Sequence, residues 1–114
     1  MKHSIGIVPA AATLTKVFTV PPGHKALLTA VTVNVGAATA KTFTIYWQFA
    51  DDASHKVYLS RAQSHATQDY PQQFTGNLIM QQGDSLWFDS EAGSTPSVIA
   101  SFDLYQEKNI HTFD

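Results

Sequence analysis

Asp51 and Asp52 stand side by side, and His55 follows four residues after the first of them. Two carboxylates with an imidazole in reach are the minimum equipment for general acid–base work. The pair of aspartates lies between two alternating segments, in residues 50–54, where adjacent aspartates commonly form turns. A turn is therefore the reading adopted. The five histidines are His3, His24, His55, His65 and His111. No two of them are spaced two apart, as one strand face would need, or four apart, as one helix turn would need, so no local pair can share an ion. The absence of cysteine removes thiolate metal sites, disulfides and a cysteine nucleophile. Ser85, within Gly83-Asp84-Ser85-Leu86-Trp87, lacks the glycine flanks of a nucleophile elbow, and no glycine-rich phosphate loop occurs. These residues predict neither an enzyme nor a cofactor or metal.

Aromatic side chains carry more. Tyr46, Tyr58, Trp87 and Tyr105 fall, by alternation, on strand faces opposite the expected core. Rings placed outward are anchors for a protein–protein interface, the role expected here, or alternatively platforms for stacking on sugars.

The elements that must hold them are strands. Val, Ile and Thr together number 26 against nine for Leu and Met, a balance that suits pleated, half-buried surfaces. In residues 42–49, Phe43, Ile45, Trp47 and Phe49 share one face and Thr42, Thr44, Tyr46 and Gln48 the other. Residues 25–35 group Leu27, Val31, Val33 and Val35, with Thr29 as the exception, and residues 98–105 set Val98, Ala100, Phe102 and Leu104 against Ile99, Ser101, Asp103 and Tyr105. Shorter strands are expected over 4–8, 13–20, 56–60, 74–80 and 85–89, giving about eight. Pro21-Pro22-Gly23, Gly36-Ala37-Ala38, Gln82-Gly83-Asp84 and the polar loop 91–96 separate them, and 60–70 reads as a loop with at most one turn. The fold class predicted from this spacing is all-β, a sandwich or barrel. Its expected core is Phe18, Leu27, Val31, Val33, Phe43, Ile45, Trp47, Phe49, Leu78, Met80, Leu86, Phe88, Phe102 and Leu104.

At 114 residues and 12.5 kDa the chain has room for one domain, expected over 1–108 with a tail at 109–114. A formal net charge of −2, with basic residues scattered singly, gives no stripe for neutralising phosphates, so no direct nucleic-acid contact is expected. No apolar run approaches a membrane span, and residues 1–12 lack the apolar segment of a secretion signal. Only 14% of residues are charged, against about a quarter in an average domain, which implies that part of the surface is covered by a partner.

Three stretches resemble small structural proteins of tailed-bacteriophage particles. They are Ile7-Val8-Pro9-Ala10-Ala11-Ala12-Thr13-Leu14 leading into Val17-Phe18-Thr19-Val20-Pro21-Pro22-Gly23-His24-Lys25; the Thr-, Val- and Asn-rich strand of residues 27–36; and Asn77-Leu78-Ile79-Met80-Gln81-Gln82-Gly83-Asp84-Ser85-Leu86. The group's turn usually reads Pro-Ala-Gly or Pro-Gly where this chain has Pro-Pro-Gly, and its hairpin more often has proline where Gln82 stands. The resemblance implies a compact antiparallel β-sandwich of jelly-roll type, and a virion location after synthesis in the host cytoplasm. It also implies a capsid decoration or cement role, or one in the neck, tail or receptor-binding fibre, the last with carbohydrate as ligand. The implied partners are the major capsid protein or another virion protein and further copies of the chain. Tyr46, Tyr58, Trp87 and Tyr105 would make the contacts, with residues 1–4 and 109–114 as latching arms. No catalytic or ligand-binding motif is carried over.

Overall fold

A computed structural model describes residues 2–34, 41–51, 54–65 and 72–106. Eight strands follow one another: β1 (Lys2–Ile7), β2 (Thr15–Thr19), β3 (His24–Asn34), β4 (Lys41–Gln48), β5 (Lys56–His65), β6 (Gln72–Met80), β7 (Ser85–Ser90) and β8 (Ser97–Gln106). They form two four-stranded antiparallel sheets, ordered β1-β8-β3-β6 and β2-β7-β4-β5. The nested pairs are β1 with β8, β2 with β7, β3 with β6 and β4 with β5, as if one long hairpin had been wrapped around a barrel. That is the jelly roll expected from the strand pattern together with the resemblance. No helix among the described residues is long and apolar enough to cross a membrane.

The core between the sheets is built from Val31 and Val33 of β3, Phe43 and Ile45 of β4, Leu86 and Phe88 of β7, and Val98 and Ala100 of β8, with Phe18, Leu28, Met80 and Phe102 closing it. Phe102 lies between rings: it stacks on Phe18 at 4.6 Å and on His3 at 5.5 Å. Leu27, expected inside, is not in the core, and Leu28 takes its place. The reason is a β-bulge. Leu28 pairs with Phe102 and Ala30 with Ser101, so two residues step past one partner and the inward parity shifts between Leu28 and Val31. The Thr29 hydroxyl donates to the Ser101 carbonyl at 3.0 Å across this step. Trp47, Leu78 and Leu104 are only partly buried against the core, and Phe49 is 37% exposed, because each lies near a strand end or on an outer strand where the second sheet no longer covers it.

A second departure concerns residues 60–65, which extend β5 instead of looping. They lack an apolar stripe, and the strand is specified by its neighbour: Lys41, Thr42 and Phe43 of β4 pair with His65, Ser64 and Gln63. Lys2, His3 and Ser4 belong to β1, paired with Asp103, Phe102 and Ser101, so they are sheet rather than a latching arm. Val35, the turn at 36–38 and the segment 109–114 lie outside the described residues.

One end of the sandwich is fastened by a single carboxylate. Asp84, 5% exposed, accepts from the backbone N–H of Ala50 through Oδ1 and from that of Gln81 through Oδ2, both at 2.9 Å. Its carbonyl accepts from Val20 N–H at 2.9 Å, and Gly83 N–H donates to the Val20 carbonyl at the same distance. The connections β2–β3, β4–β5 and β6–β7 thus meet at one turn. Gly83 is required there: its φ is +85°, and a Cβ would come within 2.8 Å of the Ala50 Cβ. At the opposite end Thr42 N–H donates to Glu91 Oε1 and Glu91 N–H to the Thr42 carbonyl, each at 2.9 Å.

Candidate functional site

Register places one residue from each strand of the β2-β7-β4-β5 sheet in a line across its outer face. Lys16 pairs with Trp87, Trp87 with Tyr46, and Tyr46 with Tyr58. Three of the four aromatic residues singled out from the sequence are therefore brought together. The Trp87 and Tyr46 rings stack at 6.3 Å with a 12° interplanar angle, and Tyr46 meets Tyr58 at 5.6 Å with a 56° tilt. The Lys16 ammonium lies 5.6 Å from the Trp87 ring centre, and that of Lys56 lies 4.7 Å from Tyr46. Such ring pairs contribute about 0.5–1.5 kcal/mol beyond their buried area, and exposed cation–π contacts about 0.5–1 kcal/mol. The row is a rigid feature of the surface. Its orientation is fixed further by Trp87 Nε1–H, which donates to the buried Ser85 hydroxyl at 2.8 Å.

Tyr46 was expected to be exposed and is only 6% so. The parity reading was correct, but Trp87, Tyr58 and Lys56 cover the ring from either side. Burial pushes its phenol above the ordinary value of 10.0, and the negative charges that Tyr58 and Asp89 can carry push it the same way. Tyr58, on the outer strand β5, is 40% exposed, so the row opens toward that edge, while the exposed Val57 faces the other side of the strand. The Trp87 and Tyr46 faces meet each other and two ammonium groups, so Tyr58 is the ring of the row left most open.

Tyr105 sits elsewhere, on the outer face of the other sheet. It pairs with Lys25 and borders a hollow of about 250 Å³ formed with Leu27 and the exposed Ile79. The two lysines of the aromatic row were not anticipated, although Lys56 lies two residues from Tyr58 and so shares its strand face by simple alternation.

Two of the acid–base trio, Asp51 and His55, lie at the surface between β4 and β5. His55 Nδ1 lies 3.4 Å from Asp51 Oδ2, both side chains are well exposed, and the His55 carbonyl accepts from Phe49 N–H at 2.9 Å. Asp52 lies outside the described residues. Ser85 is committed to Trp87, and no group of three or more histidine or acidic side chains converges among the described residues.

Beside this turn lies an open hollow of about 330 Å³, lined by Trp47, Phe49, Ala50, Asp51, Gln81, Gln82 and Asp84. The Trp47 and Phe49 rings meet edge to face at 5.5 Å, and the Trp47 indole N–H is buried without an acceptor. Gln82 Oε1 accepts from Gly23 N–H at 2.7 Å.

The fold defines a jelly-roll β-sandwich, and the comparisons bear on that fold. No protein-family model matches the sequence, and no characterised protein matches it by sequence. Among solved structures, a protein of Bacillus endospore appendages, described as a family of disulfide-linked pili, superposes with a TM-score of 0.53 at 14% identity, over 93% of this chain and 85% of that one. A chain of the infectious bursal disease virus Gt strain gives 0.49 at 12% identity, over 94% of this chain but 34% of that one. A chain of the cyanophage Pam1 capsid asymmetric unit gives 0.42 at 15% identity, over 89% and 80%. The appendage protein shares the fold.

Proposed function

We propose that this chain is a virion structural protein of the tailed-bacteriophage kind, a decoration or cement subunit that acts by association with copies of itself and with a shell protein. The observation that carries the reading is the Lys16–Trp87–Tyr46–Tyr58 row, which runs across all four strands of one sheet and leaves Tyr58 open at the β5 edge. A preorganised aromatic surface of this kind loses little side-chain entropy on docking, since its rings are already held by their neighbours. Tyr105, with Ile79 and Leu27, supplies a second and separate contact on the opposite sheet. Two contact faces on opposite sides of one slab suit a subunit placed between neighbours. The shared fold with a pilus-forming appendage protein is in keeping with such a role. Each copy would bind the assembled state and not its separated parts, which favours assembly by mass action.

Light scattering of the purified chain, and the disruption temperature of pre-assembled phage shells with and without it, test this. The expected result is an oligomer, or shells that survive to higher temperature, with Tyr58→Ala and Tyr105→Ala weakening the effect. A strict monomer without affinity for shells overturns the reading.

A further inference from the structure

The hollow at the Asp84 end lies off the aromatic row: the two share strand β4, but Trp47 faces the opposite side of the sheet from Tyr46. Its walls are held in place before any ligand arrives: the Asp84 carboxylate ties the Ala50 and Gln81 backbones together, and the Phe49 N–H bond to His55 closes the adjoining turn. Two rings at an angle of 69° form an apolar corner, with Phe49 open to solvent. Polar groups surround this corner. Gln82 Oε1 accepts from Gly23 N–H, which holds the side-chain amide in place with its Nε2 donors and the second lone pair of Oε1 left for a ligand. Asp51, lining the same hollow and braced by His55, supplies an acceptor, and Gln81 adds a second amide.

We propose that this hollow is a binding site for a neutral pyranose sugar. One face of a pyranose is a patch of C–H groups that packs on an aromatic ring, while its hydroxyls both donate and accept. That combination matches an aromatic corner ringed by two amides and the Asp51 carboxylate, the Asp84 carboxylate beside it being taken up by backbone N–H groups. An anion would be repelled by both carboxylates, and a cation, which they would attract, is the competitor that the titration separates. The site is small and open, so binding is weak, with a Kd on the order of 1–10 mM, as the efficiency of small ligands implies.

The two tryptophans make the test selective, because each gives one indole N–H signal in a nitrogen–proton NMR spectrum. The Trp47 ring lines the hollow and its own donor is buried without an acceptor, whereas that of Trp87 is bonded to Ser85 on the outer face. The intact chain is titrated separately with glucose, galactose and N-acetylglucosamine to about 50 mM, several times the expected Kd, with signals assigned through Trp87→Phe. The expected result is a saturable shift of the Trp47 signal with at least one sugar while the Trp87 signal stays in place. Phe49→Ala and Gln82→Glu should weaken it about tenfold or more. Gln82→Glu keeps an oxygen for Gly23 N–H, so an unchanged spectrum elsewhere confirms that the turn persists. The proposal is overturned by no Trp47 shift with any of the three sugars, by a shift confined to Trp87, by an equal response to choline chloride, or by binding that survives both substitutions. Light scattering of the same samples reports assembly separately.

Discussion

Removing the Asp84 carboxylate should cost more than removing any other acidic side chain of the described residues. Its two oxygens accept backbone N–H groups of Ala50 and Gln81 at 2.9 Å in a site only 5% exposed. A hydrogen bond to a charged acceptor contributes about 1.5–3 kcal/mol, so Asp84→Ala forfeits two such bonds and should destabilise by about 4 kcal/mol. That is a large share of the roughly 5–15 kcal/mol that a domain of this kind possesses. Asp84→Asn keeps one acceptor oxygen but turns an amide donor toward the second N–H, so about half the loss is expected. Asp51→Ala is the control: its contact with His55 is 3.4 Å long and solvent-exposed, and the change should stay within about 0.5 kcal/mol. Urea unfolding at pH 7 reads all three as shifts of the midpoint at constant slope, and heating reads Asp84→Ala as a Tm drop of about 15 °C. If Asp84→Ala and Asp51→Ala unfold at the same urea concentration, the β4–β5 and β6–β7 connections are not held together by this carboxylate.

The bulge in β3 makes neighbouring leucines unequal: Leu28→Ala should cost about 2–5 kcal/mol in urea unfolding and Leu27→Ala under about 1.5, whereas a strand without the bulge would reverse the order. Gly83→Ala should destabilise by about 2–3 kcal/mol, combining a positive φ with the clash at Ala50, while Gly23→Ala, with a φ of +75° and open space around its Cβ position, should cost about 1 kcal/mol. Tyr46 should ionise above the ordinary 10.0 when absorbance at alkaline pH is compared with that of Tyr46→Phe. Since its folded value is raised, the stability it contributes is whole below the unfolded value and is lost as pH climbs through the folded one, and unfolding midpoints of the two proteins should converge there.

Alternation was enough to find every strand of the described residues, because a half-buried sheet writes its two faces into odd and even positions. It could not find the bulge. Leu27 and Leu28 are chemically identical, so the parity change between them leaves no trace in the pattern, and only the pairing with Phe102 and Ser101 reveals which one is inside. The second half of β5 was hidden for a related reason: Arg61, Gln63 and Ser64 carry no apolar rhythm, and their conformation is imposed by β4. For the site, outward parity was right for Tyr46, Tyr58 and Trp87, but coverage of one ring by the next depends on register between strands distant in sequence. Trp47 and Phe49 show the reverse. Alternation assigned both to the core, and the end of β4, where the facing sheet stops, turns them into the wall of a hollow.

The nested pairing has a kinetic corollary. Gln48 meets Lys56 across a short turn, whereas Ile7 must find Val98 after nearly the whole chain has been laid down. Loop closure favours the innermost hairpin first, and each later pair docks on an existing edge, so assembly proceeds from the middle of the chain outward. The seam between β1 and β8 is then the final stitch and the first to part. Amide protons of residues 2–7 should exchange with solvent before those of β4, and a bound neighbour clamped over that seam would slow unfolding of the entire wrap.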